Sequence, residues 1–209
     1  DFLSTMAHDI FFEVEPFVKP GDFKRAYAVF RQASLGVLRG QYMDIHFEDE
    51  SNVSVDDYLE MIHLKTSCLI SASIRIGAIL AGADETVDAI LAEIGDHAGL
   101  AFQIQDDYLG IWGDTIATGK SNLTDLITRK KTYPILLGLS CCPSFKTAWD
   151  ANAQVTPELA RHMAELLSNC SVDESTIEAV FYHLKQIQKR KKSLPLGEET
   201  KNDYLWSLM

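Results

Sequence analysis

The chain has 209 residues, 46% of them hydrophobic, and a formal net charge of −11. That length and apolar share suffice for one sizeable core and exclude disorder as the dominant state. The acidic balance, with basic residues gathered in short runs such as Arg129-Lys130-Lys131 and Lys189-Arg190-Lys191-Lys192, argues against nucleic acid as a partner, because a phosphate backbone asks for a broad basic surface. Phosphate chemistry remains open, since divalent cations can sit between two polyanions.

The first residues, Asp1-Phe2-Leu3-Ser4-Thr5-Met6, show neither an initiator methionine nor a basic segment leading into an apolar one. The chain is therefore expected to be the remainder of something longer. No run of eighteen apolar residues is present, so no transmembrane helix is expected. A cytoplasmic location is the expectation, any targeting peptide having been lost with the missing part. The four cysteines, Cys68, Cys141, Cys142 and Cys170, form no CxxC and no zinc-ligand spacing. Free thiols in a reducing cytosol are expected, with Cys68 a small core residue.

Helical periodicity dominates and strand alternation is nearly absent. In chain order, helices are predicted at 2–15, 22–48, 55–81, 85–112, 123–140, 157–167, 173–192 and 199–208. The clearest is 55–81, where Tyr58, Leu59, Ile62, Leu69, Ile70, Ile74, Gly77, Ala78 and Ala81 recur at spacings of three and four. Ser54 is its predicted N-cap, Asp56 and Asp57 its acidic first turn, and Gly82 its stop. Breaks are predicted at Pro16, Pro20-Gly21, Glu48 to Asn52, Gly113-Asp114, Pro143 and Pro195. These elements predict an all-α bundle of long antiparallel helices forming one domain over residues 1–209, with room for a ligand between helices.

Within the predicted helix 85–112, Gln103, Asp106, Asp107 and Gly110 fall at i, i+3, i+4 and i+7 and share one helical face. Adjacent acids in an apolar helix are costly to bury unless a cation or donor compensates them. Such carboxylates suit Mg²⁺, which takes one or two of them and completes its shell with water and phosphate oxygens. The residues alone equally allow a solvated edge of an amphipathic helix. Downstream stand Gly113-Asp114, Thr118-Gly119-Lys120, Asp125-Leu126 and Lys130-Lys131-Thr132-Tyr133-Pro134. Spaced lysines after a diacid helix can place cations opposite the same phosphate group.

In Phe102, Gln103, Asp106, Asp107, Gly113, Asp114, Thr118, Gly119, Lys120, Asp125 and Lys130 the chain resembles the second aspartate-rich region of trans-isoprenyl diphosphate synthases. That region reads FQxxDDxxD, then GD, TGK, a D-[LI] pair and a lysine. Upstream, Gly40-Gln41-Tyr42-Met43-Asp44 is similar to the family's GQxxD segment, and Tyr58-Leu59 through Lys65-Thr66 to its YLxMIxxKT helix.

The resemblance covers about residues 1–140. It implies an isoprenoid synthase-type bundle around a central cavity, lacking its N-terminal helices, and a homodimer. The implied activity is Mg²⁺-assisted ionisation of an allylic prenyl diphosphate and its condensation with isopentenyl diphosphate. Asp106 and Asp107 are implied to bind the metal, and Lys65, Lys120 and Lys130 to neutralise the diphosphate. Thr66 and Gln103 are implied to face the allylic cation, and Phe102 to contact substrate. Phe11 and Phe12 are expected in the core rather than on the floor of an elongation tunnel. Gly95 and Gly99 are expected to permit close helix contact. The six histidines, His8, His46, His63, His97, His162 and His183, are expected to be structural or solvated.

Two departures qualify the likeness. Gly110 stands where the last acid of DDxxD belongs, and the family's first aspartate-rich motif is absent from all 209 residues. The missing motif is expected from the full-length chain or from another chain, and these residues alone are expected to be inactive. A terpene cyclase of the same fold and a non-catalytic partner subunit stay open as alternatives.

Overall fold

The structure is a computed structural model that describes residues 2–113 and 123–195. Among them there is no β-strand, as the periodicity predicted. Helix α1 (Phe2–Val14) runs through a 3₁₀ turn (Glu15–Phe17) to α2 (Pro20–Asp49). Proline opens α2 because the first helical N–H has no intrahelical acceptor to lose. Phe11 is buried at 8% exposure against Phe23, Tyr27 and Phe30, whereas Phe12 is 56% exposed, so only Phe11 is a core residue.

Helix α3 (Val55–Ile62) opens with the predicted cap. Ser54 Oγ accepts from Asp57 N at 3.1 Å and Asp57 Oδ2 accepts from Ser54 N at 3.0 Å, a reciprocal box that satisfies two otherwise orphaned donors. The helix then passes through a π turn (His63–Ser67) into α4 (Cys68–Leu80), where Cys68 N donates to His63 O five residues back. The single predicted helix over 55–81 is thus one column with one extra residue wound into it.

Helix α5 (Glu85–Trp112), capped by Asp84 Oδ1 accepting from Val87 N at 2.9 Å, is the spine of the fold. It packs on α4, and the π turn lies between it and α2. Three glycines make this possible. A Cβ on Gly99 would lie 2.3 Å from Ser67 Cα, one on Gly95 2.3 Å from Ser71 Cα, and one on Gly40 2.4 Å from Lys65 N. The π turn is therefore clasped backbone to backbone between α2 and α5. Gly99→Ala is expected to force this contact apart and lower stability by about 1–3 kcal/mol; an unchanged urea midpoint would contradict the close approach.

After residue 122 the predicted helix 123–140 is in fact two, α6 (Thr124–Ile127) and α7 (Tyr133–Cys141). Arg129 at φ 55 turns the chain between them, and Pro134 lies in the first turn of α7, where it begins a helix more readily than it continues one. The guanidinium of Arg129 holds that turn, donating to Trp149 O at 2.9 Å and Asn152 O at 2.6 Å over the Trp149 ring. Pro143, read as a break, instead opens an unpredicted helix α8 (Pro143–Ala151). Helices α9 (Pro157–Asn169) and α10 (Val172–Lys191) follow, α10 lying along α5. The predicted helix 199–208 lies outside the described residues.

The expectation of four free thiols is corrected. Cys142 and Cys170 form a disulfide, with 5.9 Å between their Cα atoms, tying the start of α8 to the end of α9; Cys68 and Cys141 are free. His97 and His183 are structural, as expected, meeting across α5 and α10 with Nδ1 atoms 2.9 Å apart.

Candidate active site

The shared face of α5 is organised around Asp107, which is buried at 2% exposure. Its Oδ2 accepts from the Tyr58 hydroxyl at 2.5 Å and from Tyr133 N at 3.2 Å, and its Oδ1 accepts from Gln103 Nε2 at 3.2 Å. Burial pushes this carboxyl up to about 6, against the three donors that favour its charged form, with nearby Asp125 adding to the rise. The Tyr58 phenol is raised well above its ordinary value, first by burial and then by Asp107. Asp107 therefore knots α3, α5 and the start of α7 together. With both oxygens accepting hydrogen bonds, it stands in this structure as a scaffold of the site, where the resemblance implied a metal ligand.

The network continues toward the π turn. Gln103 Oε1 accepts from Thr66 Oγ1 at 3.1 Å. One residue earlier, Lys65 Nζ donates to Asp44 Oδ2 of α2 at 2.5 Å. The clasp by Gly40 and Gly99 explains why this turn can present two consecutive side chains, one to α2 and one to α5. Lys65, Thr66, Gln103 and Asp107 are thus brought into one chain of contacts with Asp44.

Asp106 is exposed on the same helix. Phe102, 59% exposed, precedes Gln103 and is turned away from that chain of contacts. Lys130 is exposed and joins Asp44, Phe47, Glu48, Met61 and Lys131 in lining a cleft of about 690 Å³ between the end of α2 and the 128–131 turn. Its neighbour Lys131 has a different task, donating to Phe47 O at 2.6 Å and Glu48 O at 3.0 Å and so capping the last carbonyls of α2. Lys120, with Asp114, Thr118 and Gly119, lies outside the described residues.

Sequence reading noted Asp44 only as a motif member, and Tyr58 as a motif member on the apolar stripe of its helix. Their pairing with Lys65 and Asp107 spans 21 and 49 residues and leaves no local signal.

The donor set suits Mg²⁺ in kind, since every side chain on this face that can approach a metal offers oxygen. Among the described residues no three His, Cys, Asp or Glu side chains converge to hold a metal by themselves.

The helical bundle that carries this diacid face, π turn and cleft has the all-α fold of the isoprenyl synthases. Residues 1–170 match the polyprenyl synthetase family, and the chain belongs to it. It is 46% identical over 112 residues to a geranylfarnesyl diphosphate synthase of Aeropyrum pernix, covering 54% of this chain and 35% of that protein. To a (2E,6E)-farnesyl diphosphate synthase of Mycobacterium tuberculosis it is 41% identical over 136 residues, 65% of this chain and 36% of the other.

Among solved structures, a polyprenyl synthetase from Streptomyces coelicolor superposes with a TM-score of 0.82 at 31% identity, over 90% of this chain and 58% of that one. A geranylgeranyl pyrophosphate synthase superposes at 0.83 and 31%, over 94% and 62%. The matched stretch spans about a third of the length of each of these two curated relatives. No helix among the described residues is long and apolar enough to cross a membrane.

Proposed function

We propose that this chain carries half of the active site of a trans-prenyltransferase that condenses isopentenyl diphosphate with an allylic prenyl diphosphate, giving a product of the farnesyl or geranylgeranyl class. The observation that carries the reading is the continuous contact from Asp44 and Lys65 through Thr66 and Gln103 to Asp107, beside exposed Asp106. Each member then has a task. Asp106 holds the metal. Mg²⁺, when bound, supplies Lewis-acid charge that draws the leaving diphosphate away from the allylic carbon.

Lys65 offers its ammonium to the diphosphate while Asp44 fixes its position, and Lys130 adds positive charge from across the cleft; Lys120 joins them on sequence grounds alone. Thr66 spends its proton on Gln103, so its oxygen keeps lone pairs to face the allylic cation. Asp107, through Gln103, holds that oxygen in place. Departing diphosphate can take the proton lost on condensation, so no side-chain base is needed.

The opposing aspartate-rich motif comes from the full-length protein or a second chain, and residues 1–209 act as one domain that is inactive alone. Self-association is part of the same reading. Leu35, Leu38, Tyr42 and Ile45 lie exposed on α2 at spacings of three and four, an apolar stripe suited to a homodimer.

The test is incubation of full-length protein with isopentenyl diphosphate, farnesyl diphosphate and Mg²⁺. An elongated product is expected. Diphosphate release without elongation would replace the synthase by a cyclase, and no release at all would leave a non-catalytic subunit.

A further inference from the structure

Helix α10 buries Val172, Thr176, Val180 and Ile187 against the bundle. Helical spacing puts Phe181, Lys185 and Lys192 on the opposite side, with Tyr182 and Lys189 beside them, and all five are exposed. Phe181 and Tyr182 stand more than half in water, at 55% and 56% exposure. Arg190 is drawn aside to Glu93 at 2.5 Å, whereas Lys185, Lys189 and Lys192 enter no ion pair among the described residues. In a chain of net charge −11 this strip reverses the sign locally. The helix dipole accounts for bases in the last turn of α10. It does not account for Lys185, more than a turn earlier, or for two aromatic rings left at the surface.

We propose that this strip, from Phe181 to Lys192, docks the protein on an anionic lipid surface. Charge complementarity selects the partner. Ammonium groups on flexible stems reach the phosphate and carboxylate of the headgroups, while the rings at the other end of the strip settle at the boundary of headgroup and acyl chain. A bilayer is flat and can be met by one edge of one helix, whereas a nucleic acid asks for the broad basic surface this chain lacks. Glu174 and Glu178, exposed nearer the start of α10, confine the contact to its second half. Three lysines and two rings give reversible attachment rather than insertion. On the reaction proposed above, docking leaves a product with a long apolar chain beside the phase that dissolves it. The docking itself does not depend on that reading, since none of these residues belongs to the candidate active site.

The test is sedimentation of full-length protein with vesicles of phosphatidylcholine alone and with vesicles in which about a third of the lipid is phosphatidylserine. Binding to the anionic vesicles is expected, falling as salt is raised, with little on the neutral ones. The triple variant K185Q/K189Q/K192Q is expected to bind about a hundredfold more weakly, each lysine near the surface contributing roughly fivefold. Phe181→Ser leaves the charge alone and is expected to weaken binding by about tenfold. Thermal midpoints should stay at the wild-type value, because every altered side chain is exposed.

Should the triple variant fail to fold, Lys189→Gln decides: a loss of about fivefold supports the proposal and unchanged binding overturns it. No binding by the wild type, equal sedimentation with neutral vesicles, or an undiminished triple variant would each overturn it. Equally tight binding of single-stranded RNA through the same lysines would also overturn it, putting nucleic acid in the place of lipid.

Discussion

Asp107→Ala is expected to cost about 3–5 kcal/mol of stability, a large part of what holds an ordinary domain together. The carboxylate is 2% exposed and takes hydrogen bonds from the Tyr58 hydroxyl, Tyr133 N and Gln103 Nε2. Its removal strands these donors, and a buried donor without an acceptor costs roughly 1–3 kcal/mol. Urea denaturation of the full-length protein measures the loss, and a change below about 1 kcal/mol would refute the scaffold role.

The same residue imposes a pH dependence of defined sign. Burial lifts its carboxyl from 3.8 to about 6 in the folded protein, so between those values the folded state binds more protons than the unfolded one. The stability it contributes is complete below the unfolded value and is lost as pH rises through about 6. Relative to Asp107→Asn, the wild type should therefore lose on the order of 3 kcal/mol across that window and stay level above it. A gain with rising pH would reverse the assignment.

Asp106→Ala is the complementary experiment. The side chain is exposed on the same helix and is absent from the core clusters. Turnover with Mg²⁺ is expected to fall by roughly a hundredfold to a thousandfold, the scale on which loss of a transition-state charge partner is felt. Helix content by circular dichroism and the urea midpoint should hardly move. Unchanged turnover would take Asp106 out of the metal role. Two neighbouring acids are thus expected to separate, one failing in chemistry and the other in folding.

That separation was beyond sequence reading, although much else was within it. The face of Gln103, Asp106, Asp107 and Gly110 follows from helical geometry, and the Ser54 cap from the spacing of its acids. Which of two adjacent acids points inward depends on Tyr58 and Tyr133, partners 49 and 26 residues away. The turn at Arg129 was hidden because its positive φ is carried by an arginine where glycine would have announced it. Pro143 was ambiguous in principle, since proline both ends and begins helices. The Cys142–Cys170 bridge spans 28 residues and two helices, with no motif to mark it. The resemblance singled out Lys130, whereas the task of its neighbour Lys131 shows only in the carbonyls at the end of α2.

The π turn at His63–Ser67 bears on how this stretch can change in length. Removing one residue there would restore ordinary pitch, and because the widened turn absorbs the extra residue, the column on either side would keep nearly its direction and facing. The loss would fall on the turn itself: Lys65 and Thr66 would no longer address opposite neighbours, while the contact of Ser71 with Gly95 would persist. The extra residue at 63–67 thus serves the site and not the packing of the helix that follows.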